Sequence, residues 1–437
     1  MKTINLKFGQ SNITINIPDK NFNGIIEPDN TSSILQNDVY NSDNNLIIQN
    51  EINDWDKYKE ILNNKKILIL TEDDTRNVPH IYLFSNVIKK ILNISQPQFI
   101  KVIIATGSHN PQSTGNLKLK NEYEEILEKE KFKNYKIIIH NCFNSQFTYY
   151  GKTAYNNDIY LNSEIDDTET FIILSDVKVH YFAGYSNFVK YFVPGCAAFK
   201  TIEKNHSLAL DEFSTFARHP LHYDKSRQNN KLANDMYEAY KLATKNKNVI
   251  LISCVSLDKK IIYIKSGKPE EIMPDCFKFV DNHFIKKIMP VNRIIICPGG
   301  FPEDESLYNA QRSLELTKEG IAENAEILFI AACENGIAPN EEAMKNFFYK
   351  LQDDLDNVLN LIENDYHLYE HKAYKFAKLL KNTKIYMYSK LDAELLKSIH
   401  LIPVNEPQTI VNNWIKNDSD IKITIFNYAN KLSIIKK

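Results

Sequence analysis

The feature that most constrains this chain is a series of short apolar segments that alternate with helical stretches. The first members of the series are Lys66–Leu70, Ile100–Ala105, Lys136–His140 and Phe171–Leu174. Each is rich in Ile, Leu or Val at successive positions and is followed by small or polar residues. Strands of that kind are buried on both faces, which is typical of a parallel sheet covered by helices. The sequence therefore predicts an α/β fold whose larger N-terminal domain contains an open, mostly parallel sheet.

A second series begins near Pro290 and predicts a smaller, Rossmann-like α/β domain. Its strands are expected at Arg293–Cys297, Glu326–Ala331 and Lys384–Tyr388. We assign residues 1–288 to an N-terminal catalytic domain and residues 289–407 to the smaller domain, and we expect residues 408–437 to return to the first. Since ligands bind beyond the carboxyl ends of strands in open α/β sheets, the active site is expected in the cleft between the domains. The alternating apolar residues that open the chain predict a β-hairpin.

The composition argues against several kinds of partner. The 437 residues carry a formal net charge of −2, which gives no electrostatic reason to expect a nucleic acid. No apolar run reaches the roughly 18 residues that a membrane helix needs, so no membrane partner is expected. The six cysteines are widely scattered with no Cys-x-x-Cys pair, which is typical of reduced, buried thiols. We therefore expect a cytoplasmic protein.

Candidate chemistry lies in the turns that follow the predicted strands. The turn Thr71–Arg76 contains Asp73 and Arg76, and a guanidinium is suited to hold a carboxylate or phosphate with two parallel hydrogen bonds. The turn Ala105–His109 ends in a histidine, the usual acid or base near neutral pH. A capping turn with a surface ion pair explains the first segment as well, and a structural histidine explains the second.

The segment from His180 to His206 is more specific. It contains these two histidines with Lys190 between them, in a stretch whose other residues are largely aromatic or small. A lysine in partly apolar surroundings can have its pKa lowered enough to form covalent adducts. A neutral imidazole is a good ligand for nickel, copper, zinc or iron. An aromatic loop with surface His and Lys is the alternative interpretation.

A fourth segment, Cys297–Arg312, begins with paired glycines at a predicted strand end and continues into a predicted helix. Helical spacing places Tyr308 and Arg312 on one face, with Asn309 near them. A plain amphipathic helix explains this spacing equally well.

Taken together, these segments resemble the nickel-dependent lactate racemase family. That family shows an Asp-x-Thr-Arg turn, a Gly-x-His, a His followed by Ala-Gly-Tyr/Phe-Ser-Gly-Gly and Lys, an Asn-His, and a Gly-Gly-x-Pro-x-Asp with a Tyr-Gln and a Lys. The matching pieces are Asp73–Arg76, Gly107–His109, His180–Lys190, Asn205-His206 and Gly299–Arg312. They follow the family's order between about residues 60 and 380.

The resemblance implies a racemase or epimerase of a 2-hydroxy acid with a nickel-pincer nucleotide, pyridinium-3-thioamide-5-thiocarboxylic acid mononucleotide. Lys190 would hold this cofactor covalently, His206 would be a nickel ligand, and His109 and His180 would be the acid-base pair. The other implied positions are Asp73, Thr75, Gly184 and Ser186 for the cofactor, with Asp73 also an orienting group, and Arg76, Tyr308, Asn309 and Arg312 for the substrate. Implied partners are a small 2-hydroxy acid and, transiently, the enzymes of cofactor biosynthesis.

This chemistry suits the substrate class. The α-hydrogen of a 2-hydroxy acid is poorly acidic, and a pyridinium offers an electron sink for a hydride instead. Two histidines, one for each enantiomer, are what a reversible inversion requires.

The sequence also departs from the family. Asn187-Phe188 replaces Gly-Gly, Asn309 replaces the Gln, and Arg312 replaces the Lys. The last two changes motivate an alternative, an epimerase of a sugar acid or a bulkier 2-hydroxy acid rather than a lactate racemase, and the first permits a non-catalytic cofactor-binding homologue. A metal hydrolase that uses His109, His180 and His206 is a further alternative, although carboxylates at standard ligand spacing are missing beside them.

Overall fold

The computed structural model describes residues 1–29, 43–75, 79–257 and 259–437. The chain divides into two compact units. The central unit spans Asn30–Asn282, and the terminal unit combines Met1–Asp29 with His283–Lys437. Each unit contains a sheet of six strands.

The chain opens with an antiparallel hairpin in the terminal unit. Its strands are β1 (Lys2–Phe8) and β2 (Ser11–Ile17), and β3 (Phe22–Ile26) follows them. Leu6 pairs with Ile13 across the hairpin, and alternate residues such as Leu6 and Ile15 are fully buried. The predicted hairpin is confirmed, and its alternation arises because successive side chains of a strand point to opposite faces.

The central unit surrounds a mostly parallel sheet. Its strands are β4 (Lys66–Glu72), β5 (Phe99–Ala105), β6 (Tyr135–Ile139), β7 (Phe147–Lys152), β8 (Asp158–Asn162), β9 (Thr170–Asp176), β10 (Lys178–His180), β11 (Gly184–Ser186), β12 (Asn248–Leu257) and β13 (Lys260–Gly267). Its α-helices are α1 (Asn44–Glu51), α2 (Lys59–Leu62), α3 (His80–Ile94), α4 (Thr114–Lys129), α5 (Phe199–Ser207), α6 (Lys231–Ala243) and α7 (Pro269–Phe284). The main sheet has the order β13-β12-β9-β4-β5-β6, and its strands are parallel except for the antiparallel β12–β13 pair. The predicted parallel sheet is confirmed here.

Helix α3 illustrates how the central sheet is covered. Leu83, Val87 and Ile91 recur every four residues along it and are fully buried. They belong to one core cluster with Ile69 of β4 and Ile104 of β5. Because each such side chain contributes roughly 1.5–3 kcal/mol when it leaves water, this face fixes the helix on the sheet.

The terminal unit contains a second parallel sheet. Its remaining strands are β14 (Ile285–Ile288), β15 (Val291–Ile296), β16 (Ile321–Ile330), β17 (Thr383–Tyr388), β18 (Ile402–Pro403), β19 (Ile423–Phe426) and β20 (Ser433–Lys436). Its α-helices are α8 (Leu307–Ala310), α9 (Arg312–Thr317), α10 (Glu341–Met344), α11 (Leu355–Asn364), α12 (Glu370–Asn382), α13 (Ala393–Ser398) and α14 (Pro407–Asn417). The sheet order is β18-β17-β16-β15-β19-β3, with parallel pairing throughout.

The division of the chain differs from the expected one at both ends. We expected residues 408–437 to return to the N-terminal domain, but β19 lies between β15 and β3 in the terminal sheet. Ile423 and Ile425 of β19 share a core cluster with Leu6 of the hairpin, so both chain ends join the second series of strands. The physical reason is that this sheet buries the apolar residues of both ends together. The units therefore divide at residues 282 and 283, and not at 288 and 289.

Two expectations from composition can be compared with the structure. All six cysteines are buried and unpaired, as predicted for reduced thiols. Among the described residues, no helix combines the length and the apolar character that a membrane crossing requires.

Asp304 links three segments of the terminal unit. It is fully buried, and its Oδ2 accepts hydrogen bonds from the backbone N–H of Gly9 at 2.9 Å and of Ala332 at 3.0 Å.

We expect Asp304→Ala to lower the free energy of unfolding by about 3 kcal/mol, because two buried donors lose a charged acceptor. Urea unfolding followed by circular dichroism measures this. The control, Asp420→Ala, alters a side chain that is 92% exposed and should change stability by less than about 0.5 kcal/mol. Equal stability of both variants would contradict the assignment.

Candidate active site

Asp73 and His109 meet in the turns that follow two neighbouring strands. Asp73 comes directly after β4, and His109 follows β5. Because β4 and β5 are parallel neighbours, their carboxyl ends lie at the same edge of the sheet. The Nδ1 atom of His109 lies 2.6 Å from Oδ2 of Asp73. The structure therefore brings together these two residues of the predicted site.

This pair orients the imidazole of His109. Asp73 is 2% exposed, and its Oδ1 accepts a hydrogen bond of 2.7 Å from the Thr75 hydroxyl. The His109 side chain is 44% exposed. An ionised carboxylate can only accept, so the neutral imidazole carries its proton on Nδ1 and keeps a lone pair on Nε2. Arg76, the expected substrate residue in this turn, lies outside the described residues.

His180 lies at the end of β10, in a short hairpin with β11. Its Nδ1 accepts a hydrogen bond of 3.2 Å from the backbone N–H of Ala183. A backbone N–H can only donate, so the neutral form of His180 carries its proton on Nε2. The ring is 4.6 Å from that of Phe182, centroid to centroid, in an edge-to-face arrangement. His180 and His109 therefore hold opposite tautomers.

Gly184 allows the hairpin to turn. It has a φ of +76°, and a Cβ there would approach the carbonyl oxygen of Arg218 to 1.8 Å. Glycine is the residue that tolerates such a backbone without steric cost. Ser186, two residues later, is buried at the end of β11.

Lys190 lies in a short 3-10 helix formed by Phe188–Tyr191. Asn187 caps this helix: its side chain accepts from the N–H of Val189 at 3.2 Å and donates to the carbonyl of Tyr185 at 3.0 Å. The backbone of Asn187 is extended, with φ −171°, so the site does not need a glycine. Phe188 is fully buried, with its ring 4.9 Å from that of Tyr240. The two departures from the family motif are thus accommodated by a cap and by core packing.

A backbone hydrogen bond joins the turn that bears His109 to the segment that bears Lys190, and a second bond closes a turn within that segment. The N–H of Gly107 donates to the carbonyl of Gly195 at 3.0 Å, and the N–H of Gly195 donates to the carbonyl of Lys190 at 2.8 Å. Gly107 has a φ of +57°, and a Cβ there would contact Pro194. The two segments are therefore held together by main-chain atoms.

His206 lies on α5, and its Nδ1 bonds the carbonyl of Ile202 at 3.0 Å. Because a carbonyl can only accept, Nδ1 carries the proton and Nε2 keeps a lone pair. Burial, together with the charges of Lys190 and His109, lowers the pKa of His206 to about 3. The imidazole is neutral at physiological pH, which is the form that binds metals.

Four predicted residues of the central unit, His109, His180, Lys190 and His206, therefore share one neighbourhood. His206 is close enough to Lys190 and His109 to feel their charges. Its ring lies 5.4 Å from that of Phe182, which in turn contacts the ring of His180. Within the described residues, no group of three or more His, Cys, Asp or Glu side chains is arranged to hold a metal ion.

Sequence reasoning missed Asp235, which fixes the helix that bears His206. Asp235 lies on α6 and is fully buried. Its Oδ2 accepts from the side-chain amides of Asn205 at 2.7 Å and Asn157 at 2.8 Å, and its Oδ1 accepts from the hydroxyl of Thr153. Burial raises the pKa of Asp235, and these three donors oppose that shift. No local sequence pattern indicates these hydrogen bonds, because the partners of Asp235 are far from it in the sequence.

The remaining predicted residues lie in the terminal unit. Ser306 caps α8, so this helix begins at Leu307. Tyr308 is half-buried, and Arg312, at the start of α9, is exposed. The side-chain amide of Asn309 donates to Oε1 of Glu305 at 2.6 Å. The Nζ atom of Lys372, on α12, donates to the carbonyl of Tyr308 at 2.5 Å.

Comparison with known proteins shows which proteins this chain is similar to. Residues 8–216 match the family model described as the lactate racemase N-terminal domain. A lactate racemase from Thermoanaerobacterium thermosaccharolyticum is 24% identical over 97% of this chain and 97% of its own length. A second, from Lactiplantibacillus plantarum, is 25% identical over 92% of each chain. The structure of the lactate racemase apoprotein from Thermoanaerobacterium thermosaccharolyticum has the same fold, with a TM-score of 0.79 at 20% identity, over 99% of this chain and 100% of that one.

The class that these relationships define is that of the isomerases, since both curated relatives are racemases. More particularly, the chain is similar to two lactate racemases over nearly its whole length, and its residues 8–216 match the model of the lactate racemase N-terminal domain. The resemblance stated from the sequence motifs is confirmed.

The lowered pKa and the tautomer of His206 can be tested by NMR. With a pKa of about 3, the side chain should stay neutral between about pH 8 and pH 5, with its proton on Nδ1 throughout. The imidazole ¹⁵N shifts report both properties, and His206→Gln identifies the signals. A blocked histidine in the same buffer, with a pKa of about 6.5, serves as the titrating control. A His206 midpoint near that of the control would contradict this picture.

Proposed function

We propose that the chain is a racemase or epimerase of a 2-hydroxy acid, which acts by hydride removal and return with two histidines as acid and base. The observation that carries this proposal is the shared neighbourhood of Lys190, His206 and His109, with His109 held by Asp73. The curated relatives, both lactate racemases, support the reaction class.

The residues fit the nickel-pincer nucleotide that the family resemblance implies. The neutral imidazole of His206, with its lone pair on Nε2, is a suitable nickel donor. Lys190 lies close enough to perturb that imidazole and would carry the nucleotide as a thioamide. Asp73, Thr75, Gly184 and Ser186 would line its site. When bound, the pyridinium supplies an electron sink for the hydride of the α-carbon.

The opposite tautomers of the two catalytic histidines give each a defined task. Nε2 of neutral His109 has a lone pair, so it can take the proton of a substrate hydroxyl, and the Asp73 carboxylate stabilises the imidazolium that results. His180, once charged as the imidazolium, would donate its Nε2 proton to the oxygen of the keto acid as the hydride returns to the opposite face, which leaves a neutral ring. In the reverse direction the two roles exchange.

Substrate binding would fall to Arg76, Tyr308, Asn309 and Arg312, as the family resemblance implies. A guanidinium can hold a carboxylate with two parallel hydrogen bonds and so keep a keto acid from escaping. The exposed guanidinium of Arg312, in place of the family's Lys, favours an acid bulkier than lactate, such as a sugar acid.

Two further parts of the proposal concern partners and location. Attachment at Lys190 requires transient contact with the enzymes that make the cofactor. Six buried, unpaired cysteines suit the reducing cytoplasm.

The alternative of a non-catalytic homologue rested on Asn187-Phe188, and the cap and core packing of these residues favour a competent site.

The attachment residue can be tested by mass. In a host that makes the cofactor, the wild-type chain should gain the mass of the nucleotide, and Lys190→Ala should gain none. The control is Lys204→Ala, because Lys204 is exposed on α5. It should load like wild type. Loading of Lys190→Ala would reject the attachment.

The two histidines can be tested by turnover. We expect His109→Ala and His180→Ala each to lower the racemisation rate by about 10²–10⁴-fold, in line with loss of a general acid-base. Intact mass should show unchanged cofactor loading. His400→Asn, an exposed position in the terminal unit, should retain the wild-type rate. Near-normal rates in both alanine variants would leave the mechanism without its proton carriers.

A further inference from the structure

A buried carboxylate ties the helix that bears His206 to the neighbouring helix α6. Asn205 immediately precedes His206 on α5 and is fully buried. Both hydrogens of its side-chain amide are donated to α6, one to Oδ2 of Asp235 at 2.7 Å and one to the carbonyl of Leu232 at 3.2 Å. Successive residues of a helix point about 100° apart, so the anchored side chain of Asn205 fixes the rotation at which His206 leaves the helix.

The same carboxylate also reaches α5 one turn earlier. Its Oδ2 accepts from the side-chain amide of Asn157 at 2.8 Å, and that amide also donates to the carbonyl of Thr201 at 3.2 Å. Thr201 and Asn205 are four residues apart, so they lie on the same face of α5. Asp235 therefore holds this face at two successive turns, once directly and once through Asn157.

The imidazole of His206 is fixed to its own helix. Its Nδ1 bonds the carbonyl of Ile202, which also belongs to α5, at 3.0 Å. Because this bond sets the ring relative to the helix, the direction of the Nε2 lone pair depends on where α5 lies. Groups that orient a metal-binding histidine typically contribute about 10–100-fold to the affinity for the metal.

We propose that Asp235 is a positioning residue for His206, because it holds α5 at the rotation that sets the direction of Nε2. The inference rests on the proposed function, in which that nitrogen is the nickel donor. The role requires hydrogen-bond acceptors at residue 235 and not a charge. The oxygen of an asparagine there could accept from Asn205 and Asn157, and its nitrogen could donate to the Thr153 hydroxyl.

Nickel retention tests this role in the loaded chain. Protein made in a host that supplies the cofactor is dialysed against a chelator, and nickel per chain is compared with the nucleotide adduct seen by intact mass. Asp235→Ala should keep the adduct and lose nickel about tenfold faster than wild type. Asp235→Asn, which keeps the hydrogen bonds, should stay within about threefold of the wild-type rate.

Two more variants complete the design. Thr153→Val is the matched control, because it removes a donor from Oδ1 of the same carboxylate and leaves Oδ2, which the two amides share, unchanged. It should lose nickel within about twofold of the wild-type rate. Asn205→Ala removes the direct link to α5 and keeps the carboxylate, so it should lose nickel faster than wild type even if Asp235→Ala does not fold.

A measurement without the cofactor separates this inference from the proposed function. The ring of His206 lies 5.4 Å from that of Phe182, centroid to centroid, so NMR should detect a proton–proton contact between the two rings in the nickel-free chain. This contact should persist in Asp235→Asn and in Thr153→Val, and it should be lost in Asp235→Ala and Asn205→Ala.

An unchanged ring contact in the two alanine variants would overturn the inference, as would nickel loss from Thr153→Val as fast as from Asp235→Ala. A wild-type chain that gains no nucleotide would refute the proposed function instead. The ring contact would then still decide whether Asp235 positions His206.

Discussion

The hydrogen bond between the buried carboxylate of Asp73 and Nδ1 of His109 determines what the rest of the site can do. It fixes the ring and leaves Nε2 as an acceptor. The two other histidines also use Nδ1 for support, but with different partners. A backbone N–H supports His180, and a backbone carbonyl supports His206. The partner at a single nitrogen thereby sets which tautomer each neutral imidazole holds.

This division of tasks depends on main-chain contacts between separate turns. The bond from Gly107 to Gly195 joins two loops without any side chain, and the bond from Gly195 to Lys190 closes a turn within the second loop. A side chain at residue 107 would contact Pro194, and one at residue 195 would approach the carbonyl of Lys190 to 2.7 Å. Close approach of backbones explains why glycines stand at these positions. The supporting turns are therefore as constrained as the histidines themselves.

Sequence patterns predicted the local parts of this structure and failed at the long-range ones. Strands such as β4 and β5 were predicted from their continuous apolar runs. The ordered motifs identified the candidate residues of the central unit. The place of β19 could not be read in the same way, because its apolar residues suit either sheet and the choice depends on pairing with β3, about 400 residues earlier. The contacts of Asp235 and Lys372 could not be predicted from the sequence for a similar reason. Their partners are distant in sequence, and a buried carboxylate or lysine looks like any surface charge until the fold is known.

The departures from the family motifs fall into two groups with different physical consequences. Asn187 and Phe188 are absorbed by a helix cap and by packing against Tyr240, so the segment around Lys190 keeps its conformation. Arg312 instead places a guanidinium at an exposed position. Change that is compensated within the structure preserves chemistry, whereas change that adds charge at a surface alters what can bind there. The first group leaves the segment that bears Lys190 intact, and the second changes an exposed side chain of the terminal unit.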